Sequence, residues 1–207
     1  MSNISSEDGG EVIINQGYAY NNSTAVDIGN DRANYSFLDS YRNLLYISTN
    51  GGGLAVVDTK GTFDPSDDVL ITRYTTATTP AIGYDSTRHS FLDDSRNLLY
   101  VSTYGGLSVI NTQGTVDPGD DVLVINYSKV SSPAIVSDSV YETFLDETHN
   151  LLYINTDEGA SVINTQGTVD PGDDTLVITY NTSSSPAIGD DFNWSVFLDE
   201  SRNLVYF

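Results

Sequence analysis

The chain has 207 residues, 39% of them hydrophobic, no cysteine and a formal net charge of −21. That apolar content is enough for one sizeable core and excludes a wholly disordered chain. The lack of thiols excludes disulfides, zinc–thiolate sites and thiol catalysis. A field this negative repels polynucleotides and anionic bilayers, and no run reaches spanning length, so nucleic acid and membrane insertion are both excluded as expectations.

The segment Met1 to Glu11 is polar and holds no apolar stretch of signal-peptide type. Glu7 to Gly17 is similar to Asp157 to Gly167, so the N-terminus reads as the third strand of a repeat, with room for only a short fourth strand at Tyr18-Ala19-Tyr20. The phrase Phe-Leu-Asp then recurs at Phe37, Phe91, Phe144 and Phe197, in steps of 54, 53 and 53 residues. A fixed period of this size marks one supersecondary unit copied in tandem.

One copy reads as follows. His89 to Asp93 is a short strand, and Asp94-Ser95-Arg96-Asn97 is a tight turn. Leu98 to Thr103 is a second, β-branched strand, Gly105-Gly106 a hairpin and Leu107 to Asn111 a third strand. An acidic loop from Gly114 to Asp121 leads to a fourth strand, Val122 to Tyr127. The first three strands are nearly continuous apolar runs, which predicts cover on both faces.

Four antiparallel strands per unit, packed face to face with their copies, make a propeller blade. A β-solenoid would use shorter coils of parallel strands, whereas the Gly-Gly hairpins require antiparallel pairing. The expectation is an all-β propeller of four blade equivalents, about 53 residues each, in a single domain over 1–207. The repeats run 37–90, 91–143 and 144–196, and the last blade is split between 197–207 and 1–36. In that split the C-terminus gives the two inner strands and the N-terminus the outer ones, closing the ring within one chain. A homodimer sharing ends in an eight-bladed ring, or a piece cut from a longer propeller, would also use these ends.

The run Phe91-Leu92-Asp93-Asp94-Ser95-Arg96-Asn97-Leu98-Leu99-Tyr100-Val101-Ser102-Thr103, followed by Gly105-Gly106-Leu107, resembles NHL-like and two-component-regulator-like propeller repeats. It recurs from Phe37 to Leu54 with one extra glycine, and more loosely from Phe144 to Ser161. The resemblance implies architecture more than activity, because such propellers serve many roles. It also raises the reading of a ligand-sensing module in a longer receptor.

Three sets of residues invite a functional reading. Asp39, Asp93, Asp146 and Asp199 are each followed three residues on by Arg42, Arg96, His149 and Arg202. This pattern suits a carboxylate that accepts turn N–H groups with a basic partner across the turn, rather than a ring of charge at an axis. The acidic loops Asp64, Asp67, Asp68; Asp117, Asp120, Asp121; and Asp170, Asp173, Asp174 could offer oxygen ligands to calcium, although the spacing is not that of an EF-hand. Their alternative is a solvated turn.

The third set enters each first strand, where the copies differ. Arg32 and Tyr35, Arg88 and His89, Tyr141 and Glu142, and Phe192 and Trp194 should crowd one mouth of the channel. Aromatic and Arg side chains dominate binding hot spots, and aromatics with Asn and Glu suit a sugar ring. No nucleophile elbow, P-loop, dinucleotide fingerprint or metal-spaced His pair is present. The expected function is therefore non-catalytic: a scaffold holding a protein or glycan at one face, extracellular or at the cell surface. A calcium-dependent adhesive repeat, a propeller lyase or glycosidase, and an engineered or excised repeat array are the other readings.

Overall fold

Three copies of the repeat each fold as a four-stranded antiparallel sheet. The computed structural model describes residues 4–5, 11–12, 20, 26–192, 194–199, 202 and 204–206. β1 (Ile4–Ser5) pairs with β2 (Glu11–Val12). The first complete sheet runs β3 (Ala33–Asp39), β4 (Leu44–Thr49), β5 (Leu54–Asp58) and β6 (Val69–Tyr74). The second runs β7 (Thr87–Asp93), β8 (Leu98–Thr103), β9 (Gly106–Asn111) and β10 (Val122–Tyr127). The third runs β11 (Val140–Asp146), β12 (Leu151–Thr156), β13 (Gly159–Asn164) and β14 (Thr175–Tyr180). β15 (Phe197–Asp199) and β16 (Leu204–Tyr206) form a separate hairpin. Among the described residues there is no helix, and so none long and apolar enough to cross a membrane.

The period-2 pattern of the middle strands builds the core. Leu98 and Tyr100 point to the third sheet, where they join Leu152 and Ile154. Leu99 and Val101, on the opposite face, join Leu44, Tyr46 and Val56 of the first. Every residue of β8 is buried, so the expected two-sided cover holds there. Fully burying one such aliphatic side chain contributes about 1.5–3 kcal/mol. The first strands do not fit the expected two-sided cover: β7 alternates between buried and half-buried, and β3 is largely exposed. These strands lie side by side across the sheets, β3 against β7 and β7 against β11. They therefore line an interior edge rather than a packed interface.

Hydrogen bonds reinforce the seams between sheets. The Tyr74 hydroxyl donates to Asp121 of the next sheet, and Tyr127 donates to Asp174 in the same way. Tyr20 repeats the contact with Asp68, while Val26 and Ile28 cover Ile47, Ala55 and Val57 of the first sheet. Tyr20, Val26 and Ile28 thus pack on the first sheet as Tyr74 and Ile82 pack on the second. Among the described residues, Glu11–Val12 pairs with Ile4–Ser5 and Leu204–Tyr206 with Phe197–Asp199, in separate two-stranded sheets, so the expected pairing of the two termini is not seen there. The rest of that N-terminal strand expectation, residues 13–19, lies outside the described residues.

The β15–β16 hairpin packs one face on the third sheet through Val205, Val196, Tyr153 and Val162. Its other face is open. Leu204 is 47% exposed and Tyr206 48%, whereas their counterparts Leu98 and Tyr100 are 3% and 2% exposed.

Candidate functional site

The two ends of each first strand are built differently. At the turn end, Asp39 Oδ1 accepts the N–H groups of Tyr41 (2.9 Å) and Arg42 (3.0 Å), while Arg42 Nη1 donates to Oδ2 (2.7 Å). Asp93 takes the N–H groups of Ser95 and Arg96 together with the Arg96 Nε–H. Asp146 and His149, and Asp199 and Arg202, repeat the arrangement. Arg42 and Arg96 also reach into later copies, Arg42 to Asp94 (2.8 Å) and Arg96 to Thr165 (3.0 Å). These residues are structural clamps.

At the other end, the first strand of each four-stranded sheet carries a β-bulge. Ala33 pairs with Thr49 and Tyr35 with Ser48, which leaves Asn34 as the extra residue. Arg88 is extra between Thr87 and His89, and Tyr141 between Val140 and Glu142. Side chains of consecutive residues in a regular strand point to opposite faces, and a bulge re-aims them. Here both members of each pair, Asn34 and Tyr35, Arg88 and His89, Tyr141 and Glu142, face one pocket of about 360 Å³. Arg32 and Trp194 complete its wall.

Seven of the eight sequence candidates therefore line one concavity. Phe192, the eighth, stands behind it, with its ring centroid 5.0 Å from both Tyr141 and Trp194. It lines a second, more open hollow shared with Trp194 and Tyr206. Asn193, between them, lies outside the described residues. Sequence reading missed Asn34 as a candidate and also Tyr104, whose ring packs under the Arg88 guanidinium at 4.3 Å. Tyr104 sits in the β8–β9 hairpin just before Gly105, and its proximity to Arg88 arises only through pairing.

The pocket is electrostatically unlike the rest of the molecule. Arg42 pairs with Asp39 and Asp94, Lys60 with Asp58, Arg73 with Asp27, Arg96 with Asp93, Lys129 with Glu158 and Arg202 with Asp199. Among the described residues, which include every Lys and Arg, only Arg32 and Arg88 lack a carboxylate partner. Arg88 Nε and His89 Nδ1 are buried without any hydrogen-bond partner. Burial lowers the Arg88 pKa, and the neighbouring Arg32 charge pushes the same way. Burial likewise holds His89 below the usual imidazole value, with Glu142 pulling it back. Glu142 Oε2 is occupied by the Val196 N–H at 3.1 Å. The His89 ring lies 4.2 Å from that of Tyr35.

The acidic loops do not assemble a metal site. Asp117 accepts the Gly119 N–H (2.9 Å), Asp120 accepts the Thr115 hydroxyl (3.0 Å) and Asp121 accepts Tyr74 from another sheet. Asp64, Asp67 and Asp68, and Asp170, Asp173 and Asp174, divide in the same way. The three carboxylates of each loop thus serve three diverging hydrogen bonds. Among the described residues no group of three acidic, His or Cys side chains could hold a metal ion. The calcium expectation is corrected on this geometry: these loops are turns tied to a neighbouring blade.

No protein family matches the chain by sequence, and no curated protein matches it. Solved structures do match. The chain is similar to the extracellular domain of a hybrid two-component system of B. thetaiotaomicron, at 16% identity and a TM-score of 0.60 over 89% of its length. It spans only 22% of that protein's chain. A hemopexin-fold protein of cow pea also matches, at 16% identity and a TM-score of 0.39, over 72% of this chain and 68% of that one. At this identity the first likeness is one of fold, and together with the stacked four-stranded sheets it defines an all-β, propeller-like protein.

Proposed function

We propose that this chain is a non-catalytic, ligand-binding propeller module of a longer protein, and that it works outside the cytoplasm. The observation that carries this reading is the set of three bulges, which aim the residues that vary between copies into one pocket. Arg88 Nε and His89 Nδ1 remain unpartnered there. Buried polar groups ordinarily find partners, and a site that leaves them open is built for a ligand. Rigid sheets fix the wall, so little ordering entropy is lost on binding. The extracellular domain with a similar fold supports the setting, as does the length of that protein relative to this chain.

Trp194 is the only tryptophan in the sequence and is 66% exposed at the pocket rim, so it reports directly on occupancy. Titrating the protein with a panel of neutral and acidic oligosaccharides should quench or shift its emission for at least one member. Tyr35→Ala should abolish that response while leaving the melting temperature within a few degrees. A silent Trp194 across the whole panel would remove the ligand-binding reading.

A further inference from the structure

The charge pattern around the pocket carries a more specific conclusion, which rests on the ligand-binding reading above. A protein of net charge −21 has carboxylates to spare for each of its eight basic side chains. Six of these eight have one within ion-pair distance. The two that do not, Arg32 and Arg88, line the same cavity and repel one another electrostatically. Arg88 is held in place by the Tyr104 ring at 4.3 Å and the Tyr141 ring at 5.6 Å, yet its buried Nε–H donates to nothing. A stacked guanidinium with unused donors is pre-organised for a planar anion.

We propose that the pocket takes an acidic saccharide, its anionic group held by Arg88 and Arg32 and its ring laid against Tyr35 and Trp194. The cavity of about 360 Å³ suits a small ligand with one or two rings better than a peptide segment. Glu142 has an oxygen not used by Val196 and can accept a sugar hydroxyl. The acidic surface elsewhere does not forbid an anion. At physiological salt the Debye length is about 8 Å, so distant carboxylates are screened, and within the pocket two arginines stand against one carboxylate, Glu142.

The test is calorimetric titration of the intact chain with three probe sets. The first is a panel of hexuronate oligosaccharides with their neutral methyl esters. The second is sulfated galactose oligosaccharides with desulfated counterparts, and the third a glutamate-rich decapeptide. Binding of an acidic sugar, with its neutral counterpart at least ~10-fold weaker, is expected, and whether uronates or sulfated sugars bind identifies the anion. Arg88→Gln and Arg32→Gln should each weaken it by ~10- to 100-fold, the worth of a charge-assisted hydrogen bond. Arg32 is exposed, so its variant tests the point without disturbing packing. Equal affinity for charged and neutral sugars, indifferent to both substitutions, overturns the acidic class and leaves the binding module standing. Binding of the decapeptide alone overturns the saccharide. No binding by any probe overturns both this inference and the pocket as a ligand site.

Discussion

The turn end and the bulge end of each first strand are about five residues apart in sequence, and they obey opposite rules. At the turn end, every copy has the same Asp with an Arg or His three positions later, and each carboxylate is matched by N–H groups and by that side chain. At the bulge end, the bulged residue is different in each sheet, Asn34, Arg88 and Tyr141, and donors are left over. Where the fold needs a residue the copies agree, and where it does not they are free to differ. The unpaired groups at the bulge end, Arg88 Nε and His89 Nδ1, are what the proposed ligand would satisfy.

The sharpest way to break this contrast is to remove a clamp. Asp93 is 1% exposed, and its partner Arg96 is also largely buried. Asp93→Ala should cost about 3–5 kcal/mol, because it strands a buried guanidinium and two turn N–H groups. Chemical denaturation reads the loss. A cost under about 1 kcal/mol would show that the turn end is no more constrained than the pocket.

A smaller effect is expected at the seam. Tyr127 donates its hydroxyl to Asp174, whose carboxyl is held above the ordinary range by burial and pulled back by that bond. Tyr127→Phe should destabilise by about 1–3 kcal/mol at neutral pH. The sign with pH follows from linkage. A raised carboxyl pKa favours the fold below about pH 4 and costs stability as pH rises through the folded value. Removing the Tyr127 hydroxyl raises that pKa further, so the penalty should shrink on acidification and grow toward pH 7. Thermal melts of both proteins at several pH values measure it, and a pH-independent penalty would mean that Asp174 does not feel the bond.

The smallest effect sharpens the comparison inside the seam. Ser48 Oγ meets Ser90 Oγ at 3.2 Å, and Ser102 Oγ meets Thr143 Oγ1 at 2.8 Å. In the third copy the corresponding residues are Asn155 and Val196. The Asn155 amide is buried with neither its nitrogen nor its oxygen bonded. Val196→Thr should restore a partner and stabilise by up to about 1 kcal/mol, against a loss of about 1–2 kcal/mol for Val162→Thr, which gains none. Differential scanning calorimetry of the pair decides it. Equal losses would mean that Asn155 is satisfied in solution by another route.

Much of this was legible from the repeat. Leu98–Thr103 and Val122–Tyr127 are strands at the residues that β-branching and turn chemistry marked, and Gly106 takes the positive φ of 111° that its hairpin requires. The Asp–Arg clamp was readable because both partners lie three residues apart on one turn, where sequence spacing fixes geometry. The candidate binding residues were found by their variation among copies.

What the sequence alone determined is therefore local: strand identity, turn type, the clamp and the face on which the varying residues gather. Only the tertiary structure decided which charges are paired and which are not. Asp121 looks like a calcium ligand beside Asp117 and Asp120, but it meets a tyrosine 47 residues away. Arg88 looks like any surface arginine until Tyr104 is folded beneath it and no carboxylate comes within ion-pair distance of it. The bulges, too, have no residue signature, since Asn34, Arg88 and Tyr141 share no chemistry. They arise from strand pairing, a long-range property, and pairing re-aims the side chains that make the pocket.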